Sequence, residues 1–320
     1  MEKLKIDKPV SNNKQRSTIV KYSICCLTYN MHGLTPSLEQ INQLLGIHKE
    51  KNFDIYVIGS QECLRSIFKS LFYSNKSIWE EQLKNYFGNE YENLQSITLA
   101  AVHLIIFVKK SIKNNITQIK YNTVKTGANN YLGNKGAVGI WFTLLNLNIM
   151  FINSHLSSSH KCPEKRYESF EYIMSNMNDN VKNIDFLIFM GDLNFRLNIQ
   201  AIDINNIKNE YLNLLNCDQL KIDKKKLDNN PITTGFIEGN IQFLPTFKYY
   251  PDKNEYDIHN KRKLPAWTDR ILYKKKQTSL GTVSIEQIEY NSMENVIMSD
   301  HKPVYSYFNI EMKVAVLKKK

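Results

Sequence analysis

The sequence predicts an α+β protein, a four-layer α/β/β/α sandwich with two mostly antiparallel sheets packed face to face and helices outside. Three observations predict it. Strand-like apolar runs outnumber helical patterns, and many come in consecutive pairs with helices between the others. No repeat and no long linker interrupts the 320 residues, so one domain over 21–312 is expected, between a flexible lead-in at 1–20 and a basic tail at 313–320. A hydrophobic content of 42% is ample for one sizeable core.

The elements follow in order. Lys21–Asn30 reads as a strand ending in Asn30-Met-His-Gly33, and Ser37 is placed to cap a short amphipathic helix through Leu45. Phe53–Gly59 is a buried strand that delivers Ser60-Gln61-Glu62. Residues 64–87 carry a helical pattern, interrupted at Ser74–Ser77, and β-rich runs follow at 93–100, 102–109 and 116–126. Thr126–Gly136 holds three glycines and one lysine before strands at 137–144 and 147–153. It reads either as a hairpin loop or as a loop whose backbone N–H groups approach an anion. The second of those strands ends at Asn153-Ser-His155, with His160 five residues later, and Pro163 opens a helix to about Asn178.

Phe186–Leu197 is the segment around which the chain is organised. It is an apolar run, strand-like on both faces, that stops at Gly191-Asp-Leu-Asn194 and so brings Asp192 and Asn194 out at the carboxyl end of a central strand. Alone, this is equally a strand followed by an Asx turn. Beyond it, 199–215 and 217–227 read as helices, with a solvated connector in 221–232. Phe243–Tyr250 opens a polar excursion through His259–Lys263, which closes at Pro265–Leu272 as a turn leading into a strand. Val283–Tyr290 is a further strand, and Ser299–Val304 leads into the last.

The net charge of +11 points to an anionic partner, whether nucleic acid, an acidic membrane surface or a phosphorylated small molecule. Five cysteines without a Cys-x-x-Cys pair fit a reduced, cytoplasmic protein without structural zinc. No secretory h-region and no apolar stretch of ~20 residues is present, so membrane contact is expected to be peripheral at most.

Six strand ends present polar residues: Asn30, Glu62, His155, Asp192 with Asn194, Asp269, and Asp300 with His301. Converging on one rim, they supply what hydrolysis of a phosphate ester needs. Oxygen ligands from Asn30 and Glu62 suit a hard cation such as magnesium. Asp192 could orient the attacking water, and Asp269 could hold His301 in one tautomer and favour its charged form at the scissile phosphate. Singly, each has a structural reading as a cap, a core histidine or a surface ion pair.

The segments Asn30-Met-His-Gly33, Ile58-Gly-Ser-Gln-Glu62, Gly133-Asn-Lys-Gly136, Asn153-Ser-His-Leu156, Gly191-Asp-Leu-Asn-Phe-Arg196, Pro265-Ala-Trp-Thr-Asp-Arg270 and Ser299-Asp-His-Lys-Pro303 resemble, in order and approximate spacing, those of the inositol polyphosphate 5-phosphatases. That family lies within the endonuclease/exonuclease/phosphatase superfamily, and the resemblance spans about residues 21–312. It implies magnesium ligands at Asn30 and Glu62, with Asp300 a further candidate. It implies water activation at Asp192 beside Asn194, an Asp269–His301 pair at the scissile phosphate, and His155 on the same phosphate. The phosphates that stay on the ring would meet Lys135, Arg196, Lys248, Tyr249 and the run Lys261-Arg262-Lys263, with His160 nearby. The implied reaction is magnesium-dependent hydrolysis of the 5-phosphate of inositol polyphosphates, phosphoinositides or both, by a monomer.

Tyr29 and His32 replace the usual Trp and Asn of the first motif, Phe195 and Phe247 stand where Tyr is common, and Thr268 replaces the usual Cys. None of these removes a charged catalytic group. A superfamily nuclease acting on DNA and a non-catalytic phosphoinositide-binding module are the alternatives. Segment 244–270 speaks against the nuclease, and the intact set of acidic and histidine positions speaks against the binding module.

Overall fold

Period-two alternation explains why the strands are apolar on both faces. In the first strand Ile24 and Cys26 turn to one buried cluster while Cys25, Leu27 and Tyr29 turn to another. Phe186, Ile188 and Met190 share the first cluster, whereas Leu187 and Phe189 belong to a third. A strand with a layer on each side cannot show a polar face.

The computed structural model describes residues 17–64, 69, 76–127, 130–159, 163–177, 183–203, 206–222, 228–229, 234–257, 259, 263–276 and 283–315. The strands are β1 (Ser17–Asn30), β2 (Ile55–Gln61), β3 (Tyr91–Leu99), β4 (Val102–Lys109), β5 (Ile116–Gly127), β6 (Leu132–Leu144), β7 (Leu147–His155), β8 (Phe186–Asp192), β9 (Ile237–Glu238), β10 (Asp269–Lys275), β11 (Val283–Ser292) and β12 (Val304–Ala315). The helices are α1 (Leu38–Glu50), α2 (Ser77–Phe87), α3 (Glu164–Met177), α4 (Ile207–Leu215) and α5 (Gln219–Ile222).

The strands form two six-stranded sheets, β11-β12-β1-β2-β4-β3 and β5-β6-β7-β8-β10-β9. Their inner faces make the largest cluster; α1 and α2 cover the outside of the first sheet and α3 that of the second. This is the expected four-layer sandwich. Only β1–β2 and β7–β8 are parallel, and α1 and α3 lie between those strands in the chain. Each βαβ unit therefore points two carboxyl ends the same way, pairing Asn30 with Gln61 and His155 with Asp192.

Gly191 makes the second pairing possible. At φ +137° it faces Ser154 across the parallel ladder, and a Cβ there would lie 1.9 Å from the Ser154 carbonyl oxygen. Any side chain would push β7 and β8 apart one residue before Asp192. Burial does the rest. Phe189 is fully buried, with the Phe170 ring of α3 at 4.2 Å, so Phe189→Ala is expected to cost ~3–5 kcal/mol. Urea denaturation checks this as a lower midpoint with an unchanged slope.

Several boundaries differ from expectation. β1 begins at Ser17 and β12 runs to Ala315. The glycine-rich loop shrinks, because Leu132–Gly136 pairs with β5 as part of β6 and is a strand, not an open phosphate loop. The helix expected over 199–215 covers only Ile207–Leu215. Ile199 and Ile202 still pack on the inter-sheet core but do so from irregular backbone, so apolar spacing alone misled. Of the expected helix 217–227, Gln219–Ile222 is helical and 223–227 lies outside the described residues. Of 65–75, only Lys69 is described. Ser37 caps α1 as expected, its side chain accepting from Gln40 N while the Gln40 side chain accepts from Ser37 N. Among the described residues no helix is long and apolar enough to cross a membrane.

Candidate active site

The inner faces of four strands change from apolar to polar at the same rim. Ile24 and Cys26 are followed two and four residues on by Thr28 and Asn30; Ile55 and Val57 by Gly59 and Gln61; Ile149 and Phe151 by Asn153 and His155; Ile188 and Met190 by Asp192. Asp269 opens β10 directly opposite Asp192, and Asp300 and His301 precede β12. Both sheets therefore contribute to one cluster of buried polar groups.

Asp192 is its centre. Its Oδ2 accepts from Asn30 Nδ2 at 3.0 Å and lies 3.1 Å from His155 Nε2 and 4.0 Å from His301 Nε2, while Oδ1 accepts from Asn194 N at 3.1 Å. Burial disfavours the charge, yet His155, His301 and Lys135 outweigh it and hold the carboxyl well below the usual range. Asp192 is thus an anion at any physiological pH. Asn194 sits at φ +57°, a conformation asparagine tolerates, and its Nδ2 donates to Leu156 O.

His301 is the complementary group. Its Nδ1 lies 2.9 Å from Asp269 Oδ2, which also accepts from Thr246 Oγ1 at 2.7 Å and Thr268 Oγ1 at 2.8 Å. Burial opposes the imidazolium, but Asp269, then Asp192 and Asp300, push its pKa up to about 9. His301 is therefore a fixed cation whose Nε2 faces Asp192. Asp300 lies between two imidazoles, with His32 Nδ1 at 3.1 Å and His301 Nε2 at 3.9 Å.

Most of the residues expected to hold ring phosphates surround this cluster. Lys135 Nζ touches His155 Nε2, and burial lowers the ammonium's pKa to about 8. Arg196 is buried, donates to Asn194 Oδ1 at 2.6 Å and lies 4.4 Å over the Phe247 ring. Phe247 in turn tilts against the His301 ring at 4.5 Å. Lys263 Nζ is 5.9 Å from the same ring, and Lys248 pairs with Asp257 at 2.7 Å. Tyr249 is a correction. It is buried, its hydroxyl donates to Pro245 O, and its ring carries Lys302 Nζ at 4.6 Å, so it supports the loop and does not face a substrate. His160, Lys261 and Arg262 lie outside the described residues.

Comparison with known proteins follows from this geometry. Residues 27–307 match the Endonuclease/Exonuclease/phosphatase family 2. The chain belongs to this family. Among its relatives is the mouse (Mus musculus) type II inositol 1,4,5-trisphosphate 5-phosphatase, 32% identical over 90% of the chain. The chain spans 29% of the length of that relative. The inositol polyphosphate 5-phosphatase domain of SpSynaptojanin, solved with inositol (1,4)-bisphosphate and calcium, superposes with a TM-score of 0.79 at 27% identity, covering 93% of this chain and 87% of that one. Cimex nitrophorin, solved as a ferrous NO complex, superposes at 0.70 with 22% identity over 91% of this chain and 98% of its own. That likeness concerns the fold alone, and it shows why the site must carry the functional argument for this member of the family.

For this family member the donor chemistry fits a hard divalent cation. Asn30 Oδ1, Glu62, Asp192 and Asp300 offer oxygens at one rim, and Glu62 makes no ion pair within 4.0 Å among the described residues. Oxygen atoms of Asp192 and Asp269 and a ring nitrogen of His301 also lie within 4.8 Å of one another. That trio is an ion-paired Asp–His–Asp arrangement, because a charged imidazole has no lone pair to give a metal. Sequence reasoning missed Thr246 and Thr268, which orient Asp269, and Ser299, whose hydroxyl donates to Asn30 O at 2.7 Å. Thr268 stood out only as a departure from Cys. Nothing in the sequence marks Thr246.

Proposed function

We propose that this chain hydrolyses the 5-phosphate of inositol polyphosphates or phosphoinositide headgroups, with Mg2+ as its cation. The observation that carries the reading is the pairing of an anionic Asp192, hydrogen-bonded to Asn30 and beside His155, with a charged His301 held by Asp269. Asp192 orients the attacking water and takes its proton as the new P–O bond forms. His301 and Lys135 stabilise the charge that develops on the phosphate oxygens, and the bond to the ring oxygen breaks in line with the attack. Bound at Asn30, Glu62 and Asp300, the cation supplies further neutralisation of that charge. Arg196, Lys248 and Lys263 favour a substrate with phosphates besides the one removed.

The free and mostly buried Cys25, Cys26, Cys63 and Cys217 support a reducing, cytoplasmic setting, and the +11 charge supports peripheral contact with anionic membrane. We propose a monomer for the active species. Chromatographic identification of the product tests the reaction. Inositol 1,4-bisphosphate from inositol 1,4,5-trisphosphate is expected; a product lacking a different phosphate, or cleavage of abasic DNA with no release from any inositol phosphate, would overturn it.

A further inference from the structure

The proposed site straddles two sheets whose shared interface is apolar. Asn30, Glu62, Asp300 and His301 come from the first sheet or its flanking loops, and His155, Asp192 and Asp269 from the second. Apolar contact is non-directional and sets no fine register between two sheets. Some directional contact must set the gap between the two halves of the site.

We infer that Asn153 and Gln61 form an inter-sheet clamp that positions these two halves. The Asn153 side chain leaves β7 and crosses into the other sheet, where Nδ2 donates to Ser60 O at 3.2 Å and to His103 O at 2.8 Å. Ser60 and His103 are partners on β2 and β4, so one amide grips two adjacent strands. Its Oδ1 accepts from Gln61 Nε2 at 2.7 Å, and the same Nε2 donates to Thr28 Oγ1 on β1 at 3.0 Å. The orientations follow from the partners. Two carbonyl oxygens require the NH2 end of Asn153, and its oxygen then requires the NH2 end of Gln61.

Ser60, Gln61, His103, Asn153 and Thr28 are all fully buried, where a hydrogen bond is strong and an unmade one is costly. The fold also makes room for the crossing. A Cβ on Gly59 would stand 2.6 Å from Asn153 Cγ, so glycine is needed on β2 where the amide enters. The clamp lies next to the chemistry. Gln61 precedes Glu62 and pairs with Asn30 in the β1–β2 ladder, while Asn153 lies two residues before His155. Neither side chain touches the substrate; both are positioning residues, and this role rests on the active-site reading above.

The test uses the full chain and three readouts: melting temperature, kcat and KM on inositol 1,4,5-trisphosphate, and direct Mn2+ binding followed by electron paramagnetic resonance. The variants are Gln61→Met and the double variant Gln61→Met with Asn153→Leu. The double variant removes both polar side chains together and leaves neither unpaired, so it is expected to fold. In the folded variants kcat should fall on the order of 10- to 100-fold with KM little changed, and Mn2+ affinity should weaken by a similar factor. A lower melting temperature with kcat and Mn2+ affinity both unchanged would reduce the pair to a packing feature and overturn the inference. If the intact protein releases no phosphate, the reaction itself is wrong. The Mn2+ titration then decides the clamp alone, and an unchanged affinity rejects it.

Discussion

Asp192→Ala is expected to lower turnover by about 10²- to 10⁴-fold, the range for losing a positioned proton acceptor. Its Oδ2 is the shared partner of Asn30, His155 and, more distantly, His301, so the same change releases all three. Asp192→Asn separates charge from shape. It can keep the contact with Asn194 N but cannot take a proton, and it should be nearly as inactive. Stability shifts with the charge as well. A carboxyl whose folded pKa is depressed contributes stability above its unfolded value of about 4, and loses it as the pH falls through the folded value. The stability gap between intact protein and Asp192→Asn should therefore narrow on acidification, as urea midpoints measured from pH 7 downward would show. A variant that keeps near-normal turnover would remove Asp192 from the chemistry.

His301→Ala should lower turnover by about 10²- to 10³-fold, as expected for one donor that stabilises developing charge. Asp269→Asn should cost less, because the ring remains, but it should change the pH profile. In the intact protein the imidazolium persists until the pH rises through about 9, and activity should fall there. Its stabilising contribution is fully present below the unfolded value of about 6.5 and is lost as the pH rises through about 9. Without the Asp269 carboxylate, both the ring's titration, followed by NMR, and the alkaline limb of activity should move down. A profile unchanged in Asp269→Asn would contradict the Asp269–His301 pairing.

Much of this was legible because the polar residues follow apolar strands directly. Phe186–Asp192 could be read as a two-faced buried strand with Asp192 at its end, and β8 has these bounds. Asn30, His155, Asp269 and His301 were legible by the same logic. The remainder depended on tertiary detail. Tyr249 looked like a substrate contact because it neighbours Lys248, but a hydroxyl's direction is set by the fold around it, here by Pro245 O. Phe195 looked relevant to substrate choice through its missing hydroxyl, yet it is fully buried against Tyr167. Asn153 read as a neighbour of His155, because no local pattern shows that an amide on one sheet will bind carbonyls on the other.

The most direct test is phosphate release by the intact protein and by Asp192→Ala, with and without Mg2+. The substrates are inositol 1,4,5-trisphosphate in solution and phosphatidylinositol 4,5-bisphosphate in vesicles. Release from at least one of them that needs both the cation and Asp192 is the predicted result, and the ratio of the two rates assigns the substrate class. Release that survives removal of the cation, or that persists in Asp192→Ala, would contradict the account.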